Sequence, residues 1–269
     1  MVCEFRSIES YEKNYADLAA LLGKPGKAPP PNEAEFLRKM LHRPNRYAGT
    51  IGPSDYIFLT AFASILAPRR VVEVGTLTGF SAAILAAALE RQHGRSGTVW
   101  VDTIDTREQC LIDETRPTGF EVAELIPEIA SIVRLHVPLD SIFVRDLAQP
   151  DELDLVFIDA NHCHPRPLLD LLRCAPFVGD GGWLVLHDIQ LGAISREAGS
   201  NSPFGAEWLF ERWPFRKVSG GNIGAVQLPA EKSALIPFAL RLMSLPSEIA
   251  GAPGVRTRSA ILQTFADLV

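Results

Sequence analysis

From residue 69 onward, short valine-rich runs alternate with longer helix-forming stretches, and this alternation constrains the fold more than any other feature. "RVVEVG", "TVWVDTID", "IVRLHV", "LDLVFIDA" and "GGWLVLHD" have strand length. Their apolar character on both faces suits strands covered on both sides, as in a parallel sheet. Residues 81–92, residues 119–131 and "PRPLLDLLRCAPFV" read as the intervening helices. Repeated strand–helix units predict an α/β fold, doubly wound, with a mostly parallel sheet and helices on both faces. "FRKVSGG" and "IGAVQLP", meeting at Gly-Asn, predict an antiparallel hairpin towards the C-terminus.

The flanking segments are helical. Tyr11, Tyr15, Leu18 and Leu21 fall at helical spacing within residues 1–22. Residues 23–35, with two Gly and four Pro, read as a linker, and a basic amphipathic helix follows up to Pro44. Its stretch "FLRKMLHRPNR" reads as a solvated helix face. Residues 52–68 form a helix bracketed by proline. The tail, 230–269, reads as two helices. The expected division is a helical N-terminal extension with a Pro-rich linker (1–50), a ligand-binding domain (51–229) and a helical C-terminal extension (230–269).

A net charge of −6 argues against nucleic acid as a partner, because duplex binding needs clustered Lys and Arg. Cys3, Cys110, Cys163 and Cys174 show no zinc spacing and read as free thiols in a reducing compartment. The charged N-terminus has no signal-like apolar core, and no apolar stretch has membrane-spanning length. The expectation is a cytoplasmic protein with no membrane partner.

Doubly wound sheets bind ligands outside the carboxyl ends of their strands. The residues at those ends are Glu73 with Gly75, Asp105, Asp140 with Ser141, Asp159, and His187 with Asp188. "GTLTG" places Gly75 and Gly79 where backbone can approach a ligand closely. It departs from G-x-G-x-x-G, since Leu77 stands where the second glycine belongs. Glu73 beside the turn would repel a pyrophosphate and suits a cationic ligand, favouring an amino-acid-bearing nucleoside over a nicotinamide dinucleotide. Asp105 can accept both hydroxyls of a ribose or cap the next segment; Asp102, mid-strand, is its rival. Asp140 or Ser141 can meet an adenine amino group or cap the helix of "SIFVRDLA", and both readings stand. Asp159 with His162, and His187 with Asp188, bring carboxylates and imidazoles to adjacent strand ends. Oxygen ligands suit Mg²⁺, and histidine shifts the choice towards Mn²⁺, Fe²⁺ or Zn²⁺. Histidine also suits general-base work on a hydroxyl.

Together, "VVEVGTLTGFSAAILAAAL", "VDTID", "DLVFIDANHCH" and "LLRCAPFVGDGGWLVLHD" resemble the class I S-adenosylmethionine-dependent methyltransferases, over residues 52–229. More narrowly they are similar to the small-molecule O-methyltransferase branch with E-x-G-x-x-x-G-x-S, in its group with D-x-x-H and a terminal H-D. The resemblance implies a Rossmann-like, seven-stranded sheet and S-adenosylmethionine as cofactor. It implies that Glu73, Gly75, Thr76, Gly79 and Ser81 hold the methionine end, with Asp159 nearby. Asp105 would hold the ribose, and Asp140 and Ser141 would flank the adenine.

In the cation-dependent relatives the acid after the fourth strand binds metal, which Asp159 matches. His162 stands where those enzymes have Lys, and His187-Asp188 where they have Asp-Asn. The implied reaction is O-methylation of a small-molecule hydroxyl: a secondary metabolite, sugar or phenol. His162 is the expected base. Asp159 and Asp188 are the expected ligands of a divalent cation such as Mg or Mn, and His187 is a ligand or second base. Trp208, Phe210 and Trp213 within residues 195–213 are expected to wall the substrate, with "GSNSP" as a lid. The helical extensions suit a homodimer. The rival readings are a nicotinamide-dependent oxidoreductase and a non-catalytic cofactor-binding or scaffold protein.

Overall fold

The computed structural model describes all residues except 1, 3, 4, 6, 44–46, 96, 198, 200–203 and 246–254. Five strands run parallel: β1 (Arg70–Val74), β2 (Trp100–Ile104), β3 (Val133–His136), β4 (Leu153–Ile158) and β5 (Val178–His187). β6 (Lys217–Ser219) and β7 (Ile223–Gln227) form the predicted antiparallel hairpin. The order across the seven-stranded sheet is β3-β2-β1-β4-β5-β7-β6. The chain winds outward from β1 to β3 and then crosses back to β4. The order therefore reverses between β1 and β4, and the crevice beyond their carboxyl ends is where such a sheet binds ligands.

Strand side chains alternate between two cores. Val71, Val101, Leu155, Phe157 and Val185 face one helical layer, while Val72, Val74, Val156, Ile158 and Leu186 face the other. Both sets are buried, which is why the strands read as unbroken apolar runs. The first layer contains α3 (Pro53–Leu66) and α4 (Phe80–His93). Pro53 sits at the start of α3, and Ala67, left-handed at φ 53°, ends it before Pro68. The alanines of α4 let it lie close to the sheet and to α3. α1 (Tyr11–Leu21) and α2 (Glu33–Leu41) cover α3 and α4 from outside. Phe5 packs edge-on against Phe58, and Phe58 stacks on Phe62. Burying each such ring is worth roughly 1.5–3 kcal/mol.

Glu33 lies fully buried among these helices, so the presumed linker contributes a core residue. Its carboxylate accepts from Tyr11 Oη at 2.5 Å and from the Ser64 hydroxyl, with Arg91 Nε 3.7 Å away. Burial raises its pKa, and the hydroxyls and Arg91 oppose that shift. Removing one partner from such a buried cluster strands a charge and costs about 3–5 kcal/mol.

The second layer contains α6 (Arg166–Cys174), α8 (Gly205–Arg212), α9 (Leu235–Met243) and α10 (Val255–Thr264). The N-terminal and C-terminal extensions thus each complete one face of a single sandwich. One local expectation differs from the structure, and one small element adds to it. The helix expected over 119–131 is the short α5 (Phe120–Leu125), because Pro127 forbids its continuation. The charged stretch after β2 folds into a small hairpin, Gln109–Cys110 with Asp113–Pro117. α7 (Leu191–Glu197) follows β5. Cys110 and Cys174 are buried free thiols; Cys3 lies outside the described residues. Among the described residues no helix is long and apolar enough to cross a membrane.

Candidate active site

A cavity of about 550 Å³ opens at the carboxyl ends of β1, β2 and β4, the size range of a small-molecule site. Gly75, Thr76, Ser81, Asp105, Asp140, Ser141, Asp159 and His162 line it. The switch point therefore brings together most of the expected residues. Glu73, Gly79, His187 and Asp188 do not line it.

The turn after β1 is held by Asp105. Its Oδ2 accepts the main-chain N–H of Thr76 at 3.1 Å and of Leu77 at 3.0 Å, and its Oδ1 accepts from Arg107 N at 3.0 Å. Leu77 takes a left-handed conformation at φ 49°, a strained choice for a branched side chain. The two glycines serve packing. A Cβ on Gly75 would lie 2.1 Å from the carbonyl oxygen of Asp159, and one on Gly79 would lie 2.9 Å from Gly119 Cα. Both glycines have positive φ, so each is required by its own backbone as well. Gly79 acts as the N-cap of α4. It stands outside the cavity lining and makes close contact between α4 and α5.

Glu73 likewise stands outside the cavity lining. Strand parity points it towards the α3–α4 layer beside its cross-strand neighbour Thr103, and it is fully buried. Thr103 Oγ1 donates to Glu73 Oε2 at 2.5 Å and lies 2.6 Å from Thr76 Oγ1. Burial pushes its pKa up to about 8; the Ser81 and Thr103 hydroxyls oppose the shift, while the charges of Asp159 and Asp105 add to it. At neutral pH the group is largely a neutral acid beneath the cavity floor. Simple attraction between a carboxylate and a cationic ligand does not describe it.

The opposite wall forms one network. Ser141 Oγ donates to Asp170 Oδ1 at 2.5 Å, and Arg173 donates to Ser141 Oγ at 3.0 Å and to Asp140 Oδ2 at 3.1 Å. Asp140 Oδ1 caps the following turn through Ile142 N, so the capping reading holds for Asp140, which lines the cavity as well. Burial pushes the Asp170 carboxyl up to about 6, opposed by Ser141 and Arg173. Asp102, the rival to Asp105, pairs with His136 at 2.8 Å inside the sheet. Asp170 and Arg173 were not legible as site residues, because "LLDLLRC" reads simply as an amphipathic helix.

At the far end, Asp159, His162 and Asp188 each offer a ligating atom within 4.8 Å of the others, a set that can hold a cation. His162 Nε2 is 3.2 Å from Asp188 Oδ2, and Asn222 donates to Asp188 Oδ1 at 2.6 Å. Asp188 itself is left-handed at φ 58°. The carboxylates and imidazole fit a divalent ion that takes oxygen and nitrogen ligands. His187 belongs to the backing of this set rather than to it. Its Nδ1 is 3.0 Å from Asp159 Oδ1 and its Nε2 is 3.3 Å from Asp55 Oδ2. Burial disfavours its charge, but Asp159, Asp55 and Asp188 outweigh burial and push its pKa up to about 11. With both ring nitrogens engaged, it is neither a free base nor an available ligand. Asp55 escaped the sequence reading, although a lone acid in the apolar "YIFLTAFASIL" helix is a signal that a partner exists.

The expected aromatic substrate wall also falls away. Trp213 is buried in the second core, edge-on to Phe238 at 5.1 Å, and its Nε1 donates to Gln227 O. Phe210 packs over Gly224, and Trp208 lies against His164. Most of the expected lid, residues 200–203, lies outside the described residues. The cavity rim is instead formed by Thr50 and Ile51 before α3 and by Leu111 and Ile112 at the tip of the small hairpin. Arg43, at the end of the basic stretch, is buried against Glu121 and over the Phe80 ring, and donates to Thr50 Oγ1 at 2.9 Å. It braces the rim and is not part of a solvated face.

Residues 72–189 match a family described as a methyltransferase domain. No curated protein matches the chain. Among solved structures, the chain is similar to the O-methyltransferase TomG of Streptomyces achromogenes, involved in tomaymycin synthesis and in complex with S-adenosylmethionine. The identity is 17%, over 80% of this chain and 98% of that one, with a TM-score of 0.49. It is also similar to an O-methyltransferase of Bacillus cereus in complex with S-adenosylhomocysteine, at 20% identity over 82% and 100% of the two chains, with a TM-score of 0.46. A methyltransferase of Geobacter sulfurreducens is similar at 16% identity over 78% and 94%, with a TM-score of 0.44. All three likenesses are distant, and the ligands named are those of the other proteins.

Proposed function

We propose that this chain, whose residues 72–189 match a methyltransferase domain, is an S-adenosylmethionine-dependent O-methyltransferase acting on a hydroxyl of a small molecule. The observation that carries the reading is the cavity at the switch point. It joins the Asp105-braced turn at one end to the Asp159–His162–Asp188 set at the other. When bound, S-adenosylmethionine supplies an electrophilic methyl group. Asp105 accepts the ribose hydroxyls, and Thr76 and Ser81 flank the methionine end. Asp140 and Ser141, fixed by Asp170 and Arg173, flank the adenine.

Asp159 and Asp188 would hold a divalent cation, which would lower the acceptor hydroxyl's pKa. His162, which lines the cavity and is oriented by Asp188, takes the proton. Aligning the acceptor for in-line attack supplies the larger part of the acceleration, up to roughly 7–11 kcal/mol. General-base help adds about 10²–10⁴-fold.

One observation favours a second reading for His162. Its ring nitrogen lies close enough to both carboxylates to be a third ligand. Mn²⁺ affinity separates the two: His162→Ala leaves it unchanged if His162 is a base and lowers it if His162 is a ligand. The function itself is tested by mass spectrometry of the purified protein. Co-purified S-adenosylmethionine or S-adenosylhomocysteine is the expected result, and a bound nicotinamide dinucleotide would replace the reading with an oxidoreductase. We place the protein in the cytoplasm on the free thiols of Cys110 and Cys174, and light scattering tests the homodimer that its helical extensions suit.

A further inference from the structure

Asp55 sits in the first turn of α3, His187 ends β5, and Asp159 follows β4. These elements are distant in sequence, yet their side chains form one line. Asp55 Oδ2 accepts from His187 Nε2 at 3.3 Å, and His187 Nδ1 donates to Asp159 Oδ1 at 3.0 Å. All three side chains are at most about a tenth exposed. We infer that Asp55 is a positioning residue: it fixes the His187 ring, and through that ring it fixes the carboxylate of Asp159 at the cavity. The inference rests on the reading of Asp159 as a cation ligand.

Three observations carry it. First, the ring has one orientation that satisfies both acceptors. Rotation by half a turn about χ2 places carbon where each nitrogen was and loses both bonds. Each carboxylate therefore holds the ring for the other. Second, among the described residues Asp55 Oδ1 has no hydrogen-bond partner, and this buried acid is held through Oδ2 by His187. A buried carboxylate without that bond would be strongly unfavourable. Third, groups that orient ligating carboxylates from behind typically govern metal affinity, and their loss costs 10–100-fold. Asp188 has its own brace in Asn222, so the two carboxylates of the cation set are held separately. α3 begins just after Thr50 and Ile51 of the rim, so Asp55 also ties the rim segment to the cation end of the cavity.

The test uses the full chain, with Mn²⁺ titrated and followed by electron paramagnetic resonance. The second readout is the His187 Nε2–H proton, observed by NMR while it is hydrogen-bonded. Asp55→Ala is expected to weaken Mn²⁺ binding tenfold or more and to abolish that proton signal, with S-adenosylmethionine affinity kept as the control for folding. Asp55→Asn keeps an acceptor oxygen and is expected to recover most of both. Where Asp55→Ala does not fold, Asp55→Leu fills a similar volume without an acceptor and is read in the same way. Unchanged Mn²⁺ affinity together with an unchanged His187 signal in the folded Ala or Leu variant overturns the inference. If the wild-type chain binds S-adenosylmethionine but no Mn²⁺, the cation reading fails separately. The His187 signal and the orientation of Asp159 in a crystal of the variant then decide whether Asp55 positions them.

Discussion

Gly75 and Asp159 meet through main chain: a Cβ on Gly75 would fall 2.1 Å from the Asp159 carbonyl oxygen. The turn after β1 and the residue after β4 therefore pack as one surface, and the two ends of the candidate site share a boundary. Gly75 is also at φ 104°, where a side chain is strained. Gly75→Ala is expected to destabilise the fold by about 2–5 kcal/mol, the sum of a backbone clash and a disfavoured conformation. Denaturant unfolding measures this, and loss of both S-adenosylmethionine and Mn²⁺ binding is expected with it. A neutral effect would mean that the strands do not approach in this way.

Asp105 holds the main-chain amides of Thr76 and Leu77 and lines the cavity. Charge-assisted bonds of this kind contribute about 1.5–3 kcal/mol each. Asp105→Ala is expected to weaken S-adenosylmethionine binding by tenfold or more in calorimetry. Asp102→Ala, which breaks a sheet-internal pair with His136, is expected to lower stability and leave affinity alone.

Glu73 links stability to pH. Its folded pKa, about 8, lies above the ordinary value of 4.5, so the folded state holds the proton more tightly. Between about pH 4.5 and 8 the folded chain therefore binds more protons than the unfolded chain, and stability falls as pH rises through that window. Glu73→Gln keeps the shape without the titration. The variant is expected to lose this slope and to be more stable than wild type above pH 8. Equal slopes in the two proteins would contradict the buried, neutral acid.

Trp213 tests the assignment of aromatics to the core. Trp213→Ala is expected to cost about 3–5 kcal/mol in denaturant unfolding and to leave S-adenosylmethionine affinity unchanged in the folded fraction. An unchanged stability with a changed product profile would restore Trp213 to the substrate wall.

Asp159 and Asp188 are expected to be required for the cation. Asp159→Asn abolishes Mn²⁺ binding in this account, and EDTA-treated protein loses methyl transfer. EDTA-treated protein that keeps its full rate would remove the cation from the reaction.

The sheet and the cavity's position were legible in the sequence for a common reason: β1, β2, β4 and β5 are buried on both faces, so valine-rich runs mark them and their ends mark the site. What escaped was set by tertiary neighbours. Glu33 looks like linker and Asp55 like an ordinary first-turn acid until other helices bury them. Strand parity decided Glu73, which faces the α3–α4 layer instead of the cavity. His187 was correctly placed at a strand end, but two carboxylates from other elements take up its nitrogens. Trp208, Phe210 and Trp213 have a composition that suits a ligand wall and a core equally, and only packing separates the two.

The most direct test of the account is calorimetric titration of the purified full chain with S-adenosylmethionine, beside the same titration with NADH. The account predicts saturable binding of S-adenosylmethionine, weakened tenfold or more in Asp105→Ala, and none of NADH. Heat from NADH with none from S-adenosylmethionine would contradict it.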